Sequence, residues 1–128
     1  MTRRQERVNG LLREELSELI RREVKDPRVA GGLVSVTEVE VSPDLRHATV
    51  FISHLGSDTE RDEAILGLNK AAHFLHAELV HRLSMRNVPE LHFRFDPSIE
   101  RGARLASIIN SVVGPHGGDE DDAGPATR

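Results

Sequence analysis

The chain has 128 residues, enough for one domain with a core of its own, and contains no cysteine, which excludes a disulfide framework and thiolate metal sites. Hydrophobic residues make up 38%, below the usual range, so part of the chain is expected to stay outside the core. The net charge of −4 is uneven: residues 114–128 carry −3 and residues 38–63 carry −5, whereas residues 1–28 and 82–104 each carry +2, the pattern of one basic and one acidic face rather than of a uniformly acidic protein.

The first element is a helix. Val8, Leu11, Leu12, Leu16, Leu19, Ile20 and Val24 recur at helical spacing, Thr2 and Gln5 fit a capping box, and Asp26-Pro27 ends the run because a residue before proline avoids helical angles. Gly31-Gly32 makes a turn, and Leu33 to Val41 reads as a strand. Within it Val34 and Val36 share one parity while Val39 and Val41 share the other, which predicts a bulge near Thr37-Glu38 or a strand covered on both faces. Ser42-Pro43-Asp44 is a turn signal, and residues 47–55 form a second, antiparallel strand.

Gly56-Ser57-Asp58-Thr59 opens the longest helix, which runs to about Arg82 or Leu83. Its stripe is Ala64, Ile65, Leu68, Ala71, Ala72, Leu75, Leu79 and Leu83. After Pro89, Leu91, Phe93 and Phe95 alternate with His92 and Arg94, so a third strand buries one face; both phenylalanines read as core. A shorter helix is expected over residues 99–112. The acidic, Gly/Pro-rich residues 114–128 are expected to be a disordered tail beyond a domain of residues 1–113. The order α-β-β-α-β gives an α+β two-layer sandwich. No apolar run nears the ~18 residues of a membrane span, and the first residues lead into an amphipathic, acid-containing stretch, so a cytoplasmic location is the default expectation.

In this order the motifs resemble those of bacterial ribosome-binding factor A. The matching residues begin with Arg4, Arg7-Val8, Leu12, Leu16 and Asp26-Pro27-Arg28. They continue through Ser42-Pro43-Asp44-Leu45, Ala48, Val50, Ser53, Leu55-Gly56 and Ala71-Ala72-His73-Phe74-Leu75. They end on Arg86, Val88-Pro89-Glu90-Leu91, Phe93, Asp96-Pro97-Ser98, Glu100 and Gly102. Pro-Glu-Leu-x-Phe-x-x-Asp is the most specific piece. The resemblance implies a KH-type fold of the second topology, with a kinked long helix and a three-stranded mixed sheet. It also implies a monomer that binds the free 30S subunit and the 5′-terminal helix region of 16S rRNA during late maturation and rRNA processing, with importance in the cold. The family has Ala-x-Gly at its helix kink; here the place reads Ala71-Ala72-His73. Gly114-Pro115-His116-Gly117 mimics the GxxG loop of ordinary KH domains, but no helix pattern follows it, and it reads as linker.

The candidate RNA-binding residues are mostly arginines, which outnumber lysines fifteen to two. Arg3, Arg7, Arg21 and Lys25 lie opposite the first helix's apolar stripe. Arg3, Arg4 and Arg7 crowd the positive end of its dipole, where cations are disfavoured by ~0.3–1 kcal/mol each and a phosphate is favoured. Arg28 follows that helix's end. Lys70 and His73 share the polar face of the long helix with His81, and Arg82 and Arg86 flank the turn before Pro89. With no Trp or Tyr and only four Phe, base stacking has few platforms, and recognition of backbone and shape with strong salt dependence is expected. No catalytic motif, cofactor or metal site is expected: His76 and His81 are five apart, not the four of a zincin helix, and lack a third convergent ligand. Two rival readings are a KH-like module that meets a protein through its acidic hairpin face (Glu38, Glu40, Asp44) and a small hydrolase or nuclease using His and Asp.

Overall fold

A computed structural model describes residues 1–29 and 33–98. The chain divides into two units, Met1–Asp96 and Pro97–Arg128. The predicted Gly31-Gly32 turn, the short helix over 99–112, the Gly114-Pro115-His116-Gly117 linker and the tail lie outside the described residues.

Helix α1 spans Arg3–Glu23. The capping box forms: Thr2 Oγ1 accepts the Gln5 N–H and Gln5 Oε1 accepts the Thr2 N–H. Leu12, Leu16 and Leu19 are fully buried, and truncating any one of them to alanine is worth about 2–5 kcal/mol. Leu11, counted in the stripe from its spacing, is instead exposed at 39% and lies at the edge of the apolar face.

Strands β1 (Val34–Val41) and β2 (His47–His54) form the antiparallel hairpin. Val36 pairs with Ile52 but Glu38 pairs with Phe51, so Thr37 is the extra residue of a bulge. The bulge reverses the parity of β1. Val34 and Val36 before it and Val39 and Val41 after it consequently all pack on the same core.

The long helix ends at Arg82, as its stripe predicts, and is two helices, α2 (Asp58–Lys70) and α3 (Ala72–Arg82), broken where the resemblance implies a kink. The interruption falls at Ala71, where the sequence Ala71-Ala72-His73 has no glycine and needs none. Ala71 stays right-handed, at φ −86° and ψ −1°, and its N–H is shared at 3.0 Å between the carbonyls of Gly67 and Leu68, the bifurcation common at helix ends. The buried residues are Ala64, Gly67 and Leu68 in α2 and Leu75 and Leu79 in α3.

Strand β3 (Glu90–Phe95) lies parallel to β2, completing a mixed sheet of order β1-β2-β3. Leu91 and Phe93 are buried against Ala48, Val50 and Ile52. Phe95 departs from the core assignment: it is half-buried, and its ring is covered by the Arg61 guanidinium 4.3 Å above the centroid. Arg94 is exposed, so the second face of β3 meets solvent. Both edge strands are held from above by side-chain amides. Gln5 Nε2 donates to the Val41 carbonyl at 3.2 Å, Asn9 Oδ1 accepts the Val41 N–H at 2.9 Å, and Asn69 serves Phe93 in the same way. No helix among the described residues is long and apolar enough to cross a membrane.

Candidate nucleic-acid interface

Three segments far apart in sequence enclose a groove of about 910 Å³. The first two turns of α1 supply Arg4, Arg7, Val8 and Leu11; the β1–β2 turn supplies Asp44, Leu45 and Arg46; the α3–β3 connection supplies Met85, Arg86 and Val88. Its floor is apolar and its rim carries four guanidinium groups, those of Arg4, Arg7, Arg46 and Arg86, against the carboxylate of Asp44 alone. None of the four forms an ion pair among the described residues. Exposed guanidinium groups not engaged internally, set around a concave surface, can present planar donor pairs to phosphate oxygens.

Local structure fixes each wall. The capping box locks the first turn of α1, setting Arg4 and Arg7 one turn apart. In the hairpin turn the Leu45 N–H donates to the Ser42 carbonyl at 2.8 Å, and Asp44 Oδ1 accepts both the Ser42 hydroxyl and the Arg46 N–H. The Ser42 hydroxyl, then the Arg46 N–H, hold the Asp44 carboxyl below its ordinary value, so it stays ionised. Leu45 is left-handed at φ 60°, a conformation a leucine rarely adopts, and its side chain packs against the core beneath the groove. The third wall is tied down by His76, whose Nε2–H donates to the Val88 carbonyl at 2.9 Å, and by fully buried Pro89.

The ten residues singled out from sequence fall into three sets. Arg4, Arg7 and Arg86 converge on the groove. Arg21, Arg28 and Arg82 are engaged by acids: Arg21 meets Glu18 at 2.6 Å, Arg28 meets Asp26 at 2.6 Å, and Arg82 of α3 meets Glu15 of α1 at 3.8 Å. Arg3, Lys25, Lys70 and His73 are exposed outside the groove. Sequence spacing misses Arg46. It sits in an acidic stretch of sequence, and only the turn geometry brings it beside Arg4 and Arg7. Its position two residues after Asp44, at the end of the Ser42-Pro43-Asp44 turn signal, is the available clue.

The acidic residues behave differently. Desolvation at the sheet surface, then a hydrogen bond with and the charge of Glu40, then Asp96, push the Glu38 carboxyl up. Glu38 and Glu40 are exposed on β1, and Asp44 lines the groove itself, so the three acids of the hairpin do not make one face.

Element order, a mixed three-stranded sheet and a helix layer broken at Ala71 define a two-layer KH-type domain of the second topology, here with an arginine-rimmed groove. The family model for ribosome-binding factor A matches residues 4–109. Ribosome-binding factor A of Rippkaea orientalis is 44% identical over 111 residues, 87% of each chain. The crystal structure of ribosome-binding factor A from Thermus thermophilus superposes with a TM-score of 0.61 at 28% identity, covering 70% of this chain and 93% of that one. A homology model of the Thermus thermophilus protein, fitted into the cryo-EM map of a 30S–RbfA complex, is similar at TM-score 0.57 and 27% identity, covering 70% of this chain and 91% of that one. The chain belongs to the ribosome-binding factor A family.

Proposed function

We propose that this protein is a cytoplasmic assembly factor that binds the free 30S subunit as a monomer and grips 16S rRNA by its phosphate backbone. It supports late maturation and rRNA processing near the 5′-terminal helix, as the family resemblance implies, with greatest demand in the cold. The observation that carries the reading is the groove whose four guanidinium groups come from three separate segments, together with a structural neighbour fitted into a 30S complex. Arg3, Lys25 and Lys70 add positive charge beyond the groove and act as a weaker, longer-range attraction, whereas Arg21, Arg28 and Arg82 are already paired with acids. The protein acts by binding and needs no nucleotide, metal or other cofactor for this role.

The test is cosedimentation and footprinting on isolated 30S subunits with the wild type and with Arg4, Arg7, Arg46 and Arg86 changed together to glutamate. The wild type is expected to associate with free small subunits and little with intact ribosomes, and the variant to lose protection while keeping its melting temperature. Unchanged protection would remove the groove from the account and favour contact through protein surfaces, with the acids Glu38 and Glu40 on β1 as the next candidates.

A further inference from the structure

On the open face of the sheet, away from the helices, three side chains share one small space. His47 at the start of β2 is the cross-strand partner of Glu90 at the start of β3, and His92 lies two residues further on, on the same face. His47 Nδ1 is 3.2 Å from Glu90 Oε1, His92 Nε2 is 3.5 Å from that same oxygen, and the two ring nitrogens are 3.4 Å apart. The imidazole rings are tilted 36° to each other with centroids 5.5 Å apart, both aimed at the carboxylate.

These separations are at or beyond the ~3.2 Å outer range of a good N–H···O bond. They fit another requirement better. A tetrahedral zinc ion with bonds of about 2.0–2.1 Å holds neighbouring ligand atoms about 3.3–3.4 Å apart, and the three observed edges bracket that value. An octahedral magnesium ion at similar bond lengths would need edges of about 2.9 Å and prefers oxygen donors. Two neutral imidazoles and one carboxylate are the donor set of three-ligand zinc sites that keep a further position for water.

The donors also stand on well-held backbone. The Glu90 N–H donates to the Arg46 carbonyl at 2.8 Å, and the His47 carbonyl accepts the Ser42 N–H at 2.8 Å, so both strand starts are pinned. All three side chains are more than half exposed, which gives an ion direct access.

We propose that His47, Glu90 and His92 form a three-ligand site for a zinc-class divalent cation on the solvent face of the sheet, its remaining coordination position filled by water. None of the three residues lines the basic groove, although Glu90 is tied through its N–H to the carbonyl of Arg46 on the groove rim.

The experiment is equilibrium dialysis of the full-length protein against zinc in a non-chelating buffer, with metal content and melting temperature read together. One zinc per chain and a raised melting temperature are expected. His47→Ala and His92→Ala should each weaken binding at least 10-fold and abolish the thermal shift, whereas His81→Ala, on an exposed position of α3, should change neither. Glu90→Gln and a zinc titration of the unmodified protein, followed by the imidazole ¹⁵N resonances of His47 and His92, keep the test decisive if an alanine variant folds poorly. Absence of uptake, or uptake equal in wild type, His47→Ala and His92→Ala, would overturn the site and leave a cluster joined by hydrogen bonds and charge alone.

Discussion

The side-chain amide of Asn69 serves both backbone groups of Phe93: its Oδ1 accepts the Phe93 N–H at 2.9 Å and its Nδ2 donates to the Phe93 carbonyl at 3.1 Å. β3 is an edge strand, and Asn69, near the end of α2, does for it what a further strand would do. Removing the amide leaves two partly buried backbone groups without this partner. Asn69→Ala is expected to cost about 1–3 kcal/mol, seen as a lower urea midpoint at an unchanged denaturant slope. Asn69→Asp keeps the acceptor and loses the donor, and should fall between the two.

Gly10 sits inside α1, and a Cβ built there meets nothing within 4 Å. Gly10→Ala should therefore stabilise the protein by about 0.5–1 kcal/mol through backbone entropy alone. Gly67 in α2 is the contrast: a Cβ there would stand 3.3 Å from Asp26 Oδ2 and 3.4 Å from Val29 Cγ2. Gly67→Ala should gain less, or destabilise, because the loop after α1 rests on that bare backbone. Urea titrations of the two variants side by side check the pair.

Acid should loosen that same loop. The Arg28 guanidinium, hydrogen-bonded to Asp26, and then the Arg28 N–H hold the Asp26 carboxyl down at about 2, against an ordinary 3.8. A folded value below the unfolded one means the contribution is present above 3.8 and lost as pH falls towards and through about 2. Melting temperatures should drop across that window in the wild type, and less steeply in Asp26→Asn, which should also melt lower at neutral pH.

Glu38 carries the opposite sign. Its raised value means that the folded protein takes up a proton more readily than the unfolded chain, so this side chain is a penalty at neutral pH that eases as acid is added. Glu38→Gln should raise the melting temperature at pH 7, and the gain should vanish once Glu38 is protonated in the wild type. An equal gain at every pH would point to packing instead of charge.

For the groove, each arginine that neutralises a phosphate contributes about 0.7–0.9 to the slope of log K against log salt. Arg4→Ala, Arg7→Ala, Arg46→Ala and Arg86→Ala should each flatten the slope for 16S rRNA fragments by about that amount. Arg21→Ala, whose guanidinium is already held by Glu18, should leave it nearly unchanged. Filter binding over a salt series separates the two outcomes.

Much of the fold can be read from residue spacing because its signals are local. The Thr2/Gln5 cap, the Ser42-Pro43-Asp44 turn and the parity switch around Thr37 each depend on a few neighbouring residues, and each forms as expected. Three features depend on what lies across from them. Leu11 has helical spacing but faces the groove. Phe95 alternates correctly but meets a guanidinium instead of the core. The stripe from Ala64 to Leu79 is compatible with one straight helix, and nothing in its spacing marks the break at Ala71, which only the family resemblance implies. The site is less legible than the fold for the same reason. Arg4 and Arg7 come from one helical turn, but Arg46 and Arg86 join them only through tertiary structure, and the cluster of His47, Glu90 and His92 requires the register of β2 on β3.

The rim of the groove is made of guanidinium groups and not of imidazoles or amines. Each guanidinium is a rigid planar fork of donors that grips by geometry as well as by charge. A ligand gripped this way is let go by competing ions, by crowding from a better-fitting surface, or by a change in the ligand's own shape.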